Sequence, residues 1–375
     1  MSDPVNKPGE RRGAPPLLTP LTPVARRRSV LVVPVALVAI SSLLAGCGGG
    51  SSAAPKKHKP TTTTKLTTTT TTAPPVAPET GLPDPQGASL TRPALWVKIE
   101  NLSEQVRPQA GLDVADVVYE QITEGGITRF IALFNSQIPD VVGPIRSTRA
   151  MDADVVAPLG GIFAYSGGIA DSVRLINQAP VNAVDDTKAG PAMFRDKTRR
   201  APHNLFGHAD QLLAKGGKPV PPPPLFQYLA NGEMFTGDPV MAFTVKYDRG
   251  YAPTYTFDAP TGTWKRDIDA VPFTATSGQH VAPTNVIVQF VPCCVPSPEG
   301  GAYQTVGSGD AWVFTQGKVL RGKWNRTDRS QVTQFVDAAG APVKLAPGRT
   351  WVEFAPIGLP VDVISPPPPA PPPSS

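Results

Sequence analysis

The chain has 375 residues, 40% of them hydrophobic and 17% charged, which is enough apolar material for a sizeable core outside its biased segments. Its net charge of +5 is unevenly placed: residues 1–46 hold six basic and two acidic side chains, 47–92 five and two, 93–215 twelve and fourteen, and the remainder twelve and twelve. A body at or below neutrality lacks the broad basic footprint that phosphate-dominated binding requires, so nucleic acid is excluded as a partner.

At the N-terminus, Arg26, Arg27 and Arg28 precede an apolar run from Val30 to Leu44, and the small residues Ala45 and Gly46 lead into Cys47. This is the layout of a bacterial lipoprotein signal over residues 1–46. A transmembrane anchor is the alternative, but it needs about 20 apolar residues, and this run is shorter and broken by Pro34, Ser41 and Ser42. Processing before Cys47 would leave its thiol carrying a diacylglyceryl group, and two acyl chains anchor stably where one is marginal. The expected location is therefore the extracytoplasmic face of the cell membrane, lipid-anchored.

Residues 47–92 are dominated by Gly, Ser, Pro and Thr and read as a disordered tether. Its threonine run, Thr61 to Thr72, has the composition of an O-glycosylated stalk. Lys56, Lys57, Lys59 and Lys65 either touch anionic headgroups or only keep the tether soluble. A proline-rich tail over 361–375 reads as disordered too.

Between tether and tail, the stretch Gly216 to Pro224 divides the chain into two expected domains, 93–215 and 225–360. The class is α+β: a mixed α/β N-terminal domain followed by a mostly β C-terminal one. In the first domain, Val117–Glu124 and Ile127–Asn135 flank Gly125-Gly126 as a hairpin. With a two-residue loop, Ile122 faces Arg129 and Glu120 faces Ile131, which sets Arg129 diagonally between Glu120 and Glu124. This is either an acid and base cluster at a cleft or a structural ion pair on a half-covered sheet.

Gly143 to Arg149 then leads into a short helix over Ala150–Ala157, with Ser147 or Thr148 as its N-cap. Arg146 and Arg149 beside that N-terminus would make an anion site. A strand at Ile162–Tyr165, the turn Ser166-Gly167-Gly168 and a helix over Ala170–Gln178 follow in a phosphate-cradling order. The segment lacks P-loop and nucleophile-elbow spacing, so its glycines serve a turn.

Arg195 and Asp196 precede Ala201-Pro202-His203-Asn204, where His203 suits proton transfer or is a loop residue bonded to backbone. No cluster has zinc spacing, and no metal or other cofactor is expected, although Asp152, Asp154 and Asp196 carry oxygens suited to a hard divalent cation.

In the second domain, β-rich runs cover Val240–Tyr247, Tyr255–Phe257, Asn285–Val291, Ala311–Phe314, Val319–Trp324 and Thr350–Phe354. Thr315 to Lys318 forms a hairpin turn. Cys293 and Cys294 are adjacent; a vicinal disulfide would be strained, and free thiols or an intermolecular link are equally open.

Several long segments in fixed order resemble the YerB-like bacterial lipoprotein family, which is defined by domain of unknown function 3048 with its N- and C-terminal domains. They are Val97–Asn101, Arg107–Leu112, Ala115–Glu120, Glu124–Phe130, Gly143–Arg149 and Ala201–Asn204, then Asn285–Phe290, Gly317–Val319, Gly322–Trp324 and Pro347–Trp351. The resemblance spans about Thr91 to Pro356 and implies a two-domain lipoprotein without implying a reaction.

The function expected from these residues is binding of an anionic envelope component, such as a phosphate-bearing or uronic cell-wall glycan or peptidoglycan carboxylates. Arg129, Arg146, Ser147, Arg149 and Arg195 would supply the contacts, with His203 and Asn204 orienting the ligand. The alternatives are a cell-wall polymer hydrolase or transferase using Glu120, Glu124 or His203, and an envelope scaffold protein.

Overall fold

The computed structural model describes residues 74–216, 220–247, 250–293 and 303–367. The expected signal segment, Cys47, the threonine run, Cys294 and the end of the proline-rich tail lie outside the described residues. Cys293 is disulfide-bonded.

The fold is α+β and dominated by strands. Three near-continuous apolar runs form β1 (Leu95–Asn101), β2 (Val117–Ile122) and β3 (Thr128–Phe134), covered on both faces. β3 lies between β2 and β1, antiparallel to both. Beyond β1 the sheet continues in parallel through Ile162–Ala164 and Asn182–Val184. The helix over Ala170–Gln178 connects those two strands, where the strand, turn and helix order placed it.

On its other side, β2 pairs in parallel with Thr350–Pro356, followed by Asn285–Val291, Gly307–Thr315 and Lys318–Arg326. One sheet of 11 strands thus contains elements from both the 93–215 and the 225–360 segments. The turn between the Gly307–Thr315 and Lys318–Arg326 strands uses Gln316 (φ 49°) and Gly317 (φ 69°), the paired positive φ that a tight hairpin requires.

A second sheet of five strands packs on one face of the first. Phe243 stacks on Phe314 at 3.6 Å between centroids, Trp264 meets Phe314 at 5.9 Å, and Phe273 meets Phe130 edge-on at 6.1 Å. Burying each such ring contributes roughly 1.5–3 kcal/mol.

Between the sheets lies a polar network. Glu120 and Glu353 are register neighbours on adjoining strands, both fully buried. Arg266 donates to Glu120 at 2.8 Å, and its guanidinium lies 4.3 Å from the Phe273 ring centroid and 4.8 Å from that of Trp351. Thr128 and Tyr251 also donate to Glu120, each at 2.7 Å, while Tyr247 and Tyr255 donate to Glu353.

Four expectations are corrected. Glu120 faces Phe130 and Gln121 faces Arg129, one residue off the register expected for a two-residue loop. The cause is a longer turn: Thr123 N–H donates to the Ile127 carbonyl across Glu124, Gly125 and Gly126. Since a one-residue slip exchanges faces, Glu120 and Arg129 lie on opposite sides of the sheet.

The folded body also begins before residue 93. Glu79, Thr80 and Ser89 are buried, and Asp84 accepts bonds from the Ala88 and Ser89 amides and the Ser89 hydroxyl. Composition suggested a tether there, but specific polar contacts hold the segment. The chain likewise stays in a strand to Ile364, pairing Val361–Ile364 with Ala242–Val245, so the tail starts later than 361. Finally, the helix expected over Ala150–Ala157 is a single turn and a half, α1 (Asp152–Val156), with Met151 rather than Ser147 or Thr148 as its N-cap.

Burial first, and then the adjoining Glu120, pushes the Glu353 carboxyl up to about 8. A folded-state pKa above the unfolded value of about 4.5 means that the folded protein holds the extra proton. The resulting stability is complete below about pH 4.5 and is lost as pH rises through about 8. Melting curves from pH 5 to 7 should therefore fall with rising pH for the native protein, by at most about 1.4 kcal/mol per pH unit. A Glu353→Gln variant should lack this component; parallel curves for the two proteins would refute the assignment.

Candidate functional site

On the face away from the second sheet, β1 presents Lys98 and Glu100, β2 Gln121 and β3 Arg129, all on one side by strand alternation and register. The segment Arg146 to Arg149 crosses above them, anchored where Arg146 N–H donates to the Lys98 carbonyl and Thr148 N–H to that of Gly167. The result is a concentration of four cationic side chains, Lys98, Arg129, Arg146 and Arg149, among the carboxylates of Glu100, Glu124 and Asp152.

Asp152 is the fixed centre. Its carboxylate accepts from Lys98 Nζ at 2.8 Å, Gln121 Nε2 at 2.6 Å, Thr148 Oγ1 at 3.1 Å and the Arg149 amide at 2.8 Å. Lys98 and Asp152 are both fully buried, and burial lowers the lysine to about 8 against the opposing pull of Asp152. Because Asp152 turns back onto the Arg149 amide, the start of α1 is satisfied by the protein itself. The anion site expected at that helix terminus is therefore not formed there.

Above this centre the arginines converge. Glu124 accepts from Arg149 Nε at 2.6 Å, from Arg149 Nη2, and from Arg129 Nη2 at 3.2 Å. Partial burial opposes ionisation of Glu124, but Arg149 and Arg129 outweigh it and hold the carboxyl at about 2. Glu100 lies 2.9 Å from Arg146 Nε and 3.0 Å from His203 Nδ1. Arg129 also donates to the Ser147 carbonyl at 3.1 Å, and Ser147 Oγ donates to the Ser166 carbonyl.

Two features leave the cluster electrostatically unfinished. Burial, and next the neighbouring Arg149, lower Arg129 to about 10. The Nε of Arg129 is also buried without a hydrogen-bond partner, whereas that of Arg146 lies against Glu100. An unpaired buried donor of this kind carries a penalty of about 1–3 kcal/mol.

The other expected site residues lie elsewhere. Glu120 is sealed in the Arg266 network on the opposite face. Arg195 is exposed and donates to Asn204, whose own amide braces the Asp196 and Arg199 carbonyls, so this pair builds a turn. The three aspartates considered for a cation disperse: Asp152 to Lys98, Asp154 to Arg329 and Asp196 to Arg199. Among the described residues no helix is long and apolar enough to cross a membrane.

Sequence reasoning missed Lys98 and Glu100, although their spacing of two within Leu95–Asn101 carried the signal. It also missed Arg266, which alternates with Trp264 and Ile268 at core-facing positions.

The buried pair and the exposed one should respond differently to substitution. Asp152→Ala strands Lys98 in the interior and should destabilise by about 3–5 kcal/mol in denaturant unfolding. Glu124→Gln, at a half-exposed carboxylate, should change stability by about 1 kcal/mol or less. Equal effects would contradict the placement of Asp152 as the fixed centre.

Two family models match the chain: the N-terminal domain of the protein of unknown function DUF3048 over residues 79–219, and its C-terminal domain over 243–352. The protein described as "Putative lipoprotein YerB" of Bacillus subtilis (strain 168) is 28% identical over 297 residues, covering 75% of this chain and 86% of that protein. The crystal structure of the YerB protein from Bacillus subtilis superposes with a TM-score of 0.67 at 23% identity, covering 76% of this chain and 99% of that one, a likeness of fold. With both domain models matched in order and a relative aligned across them, the chain belongs to the YerB-like DUF3048 family.

Proposed function

We propose that this protein is a lipid-anchored binding protein of the extracytoplasmic membrane face, and that Arg129, Arg146 and Arg149 capture an anionic envelope component. The ligand class is a phosphate-bearing or uronic glycan or a peptidoglycan carboxylate. The observation that carries this reading is the convergence of three arginines around Glu124 and Glu100, with the Arg129 Nε buried and unpaired. An anion entering there relieves the repulsion between Arg129 and Arg149 by charge-assisted and bidentate bonds. His203, held on Glu100, borders the same cluster and orients the ligand.

The anchor is assigned to Cys47, after the apolar run that ends at Leu44. Its serine variant should leave the membrane fraction and appear in the soluble fraction; retention in the membrane would refute the lipid anchor.

Calorimetric titration with phosphorylated glycans and peptidoglycan fragments tests the site. Each lost charge-assisted bond is worth about 1.5–3 kcal/mol, so Arg146→Ala with Arg149→Ala should weaken binding by about tenfold or more. Glu124→Gln should strengthen it, because the carboxylate that competes for Arg149 and Arg129 is gone. Binding indifferent to both changes, or none with any of these ligands, would overturn the reading.

A further inference from the structure

Away from the arginine cluster, Arg107 follows the short turn Glu104–Val106 and extends its guanidinium toward two aromatic rings, 5.8 Å from the centroid of Tyr251 and 5.7 Å from that of Phe273. Among the described residues its side chain makes no ion pair, and its Nε is buried with no hydrogen-bond partner. Seated on ring faces, partly exposed and lining the clefts beside it, the guanidinium is held in place to meet an incoming acceptor group.

Two clefts meet at this residue and share Glu104, Arg107, Ile268 and Asp269. One, of about 260 Å³, is walled by Val271, Pro272 and Phe273, and the other, of about 390 Å³, reaches Leu102 and Tyr251. Asp269 (φ 53°) and Ala270 (φ 60°) form the tight hairpin tip that holds Val271 outward, 63% exposed, so the apolar wall is already built. The carboxylates of Glu104 and Asp269 stand exposed at the rim, with no ion pair among the described residues.

We propose that this groove binds a short zwitterionic peptide: its C-terminal carboxylate on Arg107, its amine at the Glu104 and Asp269 rim, and an apolar side chain against Val271 and Pro272. A bare phosphate or uronic acid satisfies Arg107 but is repelled by two carboxylates, which separates this groove from the Arg129 cluster. The combined space suits several residues rather than one amino acid.

The test is calorimetric titration of the full chain in detergent with the tripeptide lysyl-alanyl-leucine and with its C-terminal amide. The free acid should bind saturably, and both amidation and Arg107→Gln should weaken it about tenfold or more. Arg146→Ala with Arg149→Ala should leave this affinity unchanged, which separates its failure from failure of the Arg129 site. Absence of saturable binding at millimolar peptide, equal affinity for acid and amide, or binding unchanged in the Arg107 variant would each overturn the proposal. The acid and amide comparison on the native protein holds even if the variant folds poorly.

Discussion

The structure depends on one buried guanidinium set beside two carboxylates. Glu120 and Glu353 stand side by side on parallel strands in the interior, and Arg266 from the second sheet bonds Glu120 directly and meets Glu353 through the Tyr255 hydroxyl. Two buried carboxylates against one cation leave an excess negative charge that an interior of low dielectric does not tolerate. The arrangement is neutral when Glu353 keeps its proton, and Tyr247, Tyr251 and Tyr255 then complete the hydrogen bonding. The aromatic faces of Phe273 and Trp351 take up the rest of the guanidinium surface.

This network has consequences on both sides of the sheet. It fixes β2 beside Thr350–Pro356 and so makes the 93–215 and 225–360 segments share a single sheet. With β2 and β3 held in that register, the opposite face presents Lys98, Glu100, Gln121 and Arg129 as a rigid floor. Asp152 locks the floor to the segment carrying Arg146 and Arg149. The arginines are thus positioned by strands and a buried ion pair, which is the kind of support a binding site needs if its charges are to converge without collapsing onto one another.

Much of this was legible in the residues. Asn285–Val291 and the helix over Ala170–Gln178 lie where pattern and length placed them, because an apolar run bounded by turn residues has few other solutions. Arg129, Arg146 and Arg149 stood out as residues, but the reasons did not hold: the helix start invoked for Arg146 and Arg149 is closed by Asp152, the hairpin register invoked for Arg129 is shifted, and Arg195, grouped with them, bonds Asn204 instead. The hairpin register failed on a single loop residue, since Gly125-Gly126 satisfies a three-residue turn as readily as a two-residue one. Arg266 and Glu353 were invisible because a charge at a core-facing position signals a partner without naming it, and that partner is 146 residues away in Glu120.

The most direct measurement is difference infrared spectroscopy at neutral pH, comparing the native protein with Glu353→Gln. A protonated-carboxyl C=O band present in the native protein and lost in the variant is the predicted result. Loss of an ionised carboxylate band instead, with no protonated band to lose, would contradict the neutral interior on which the account rests.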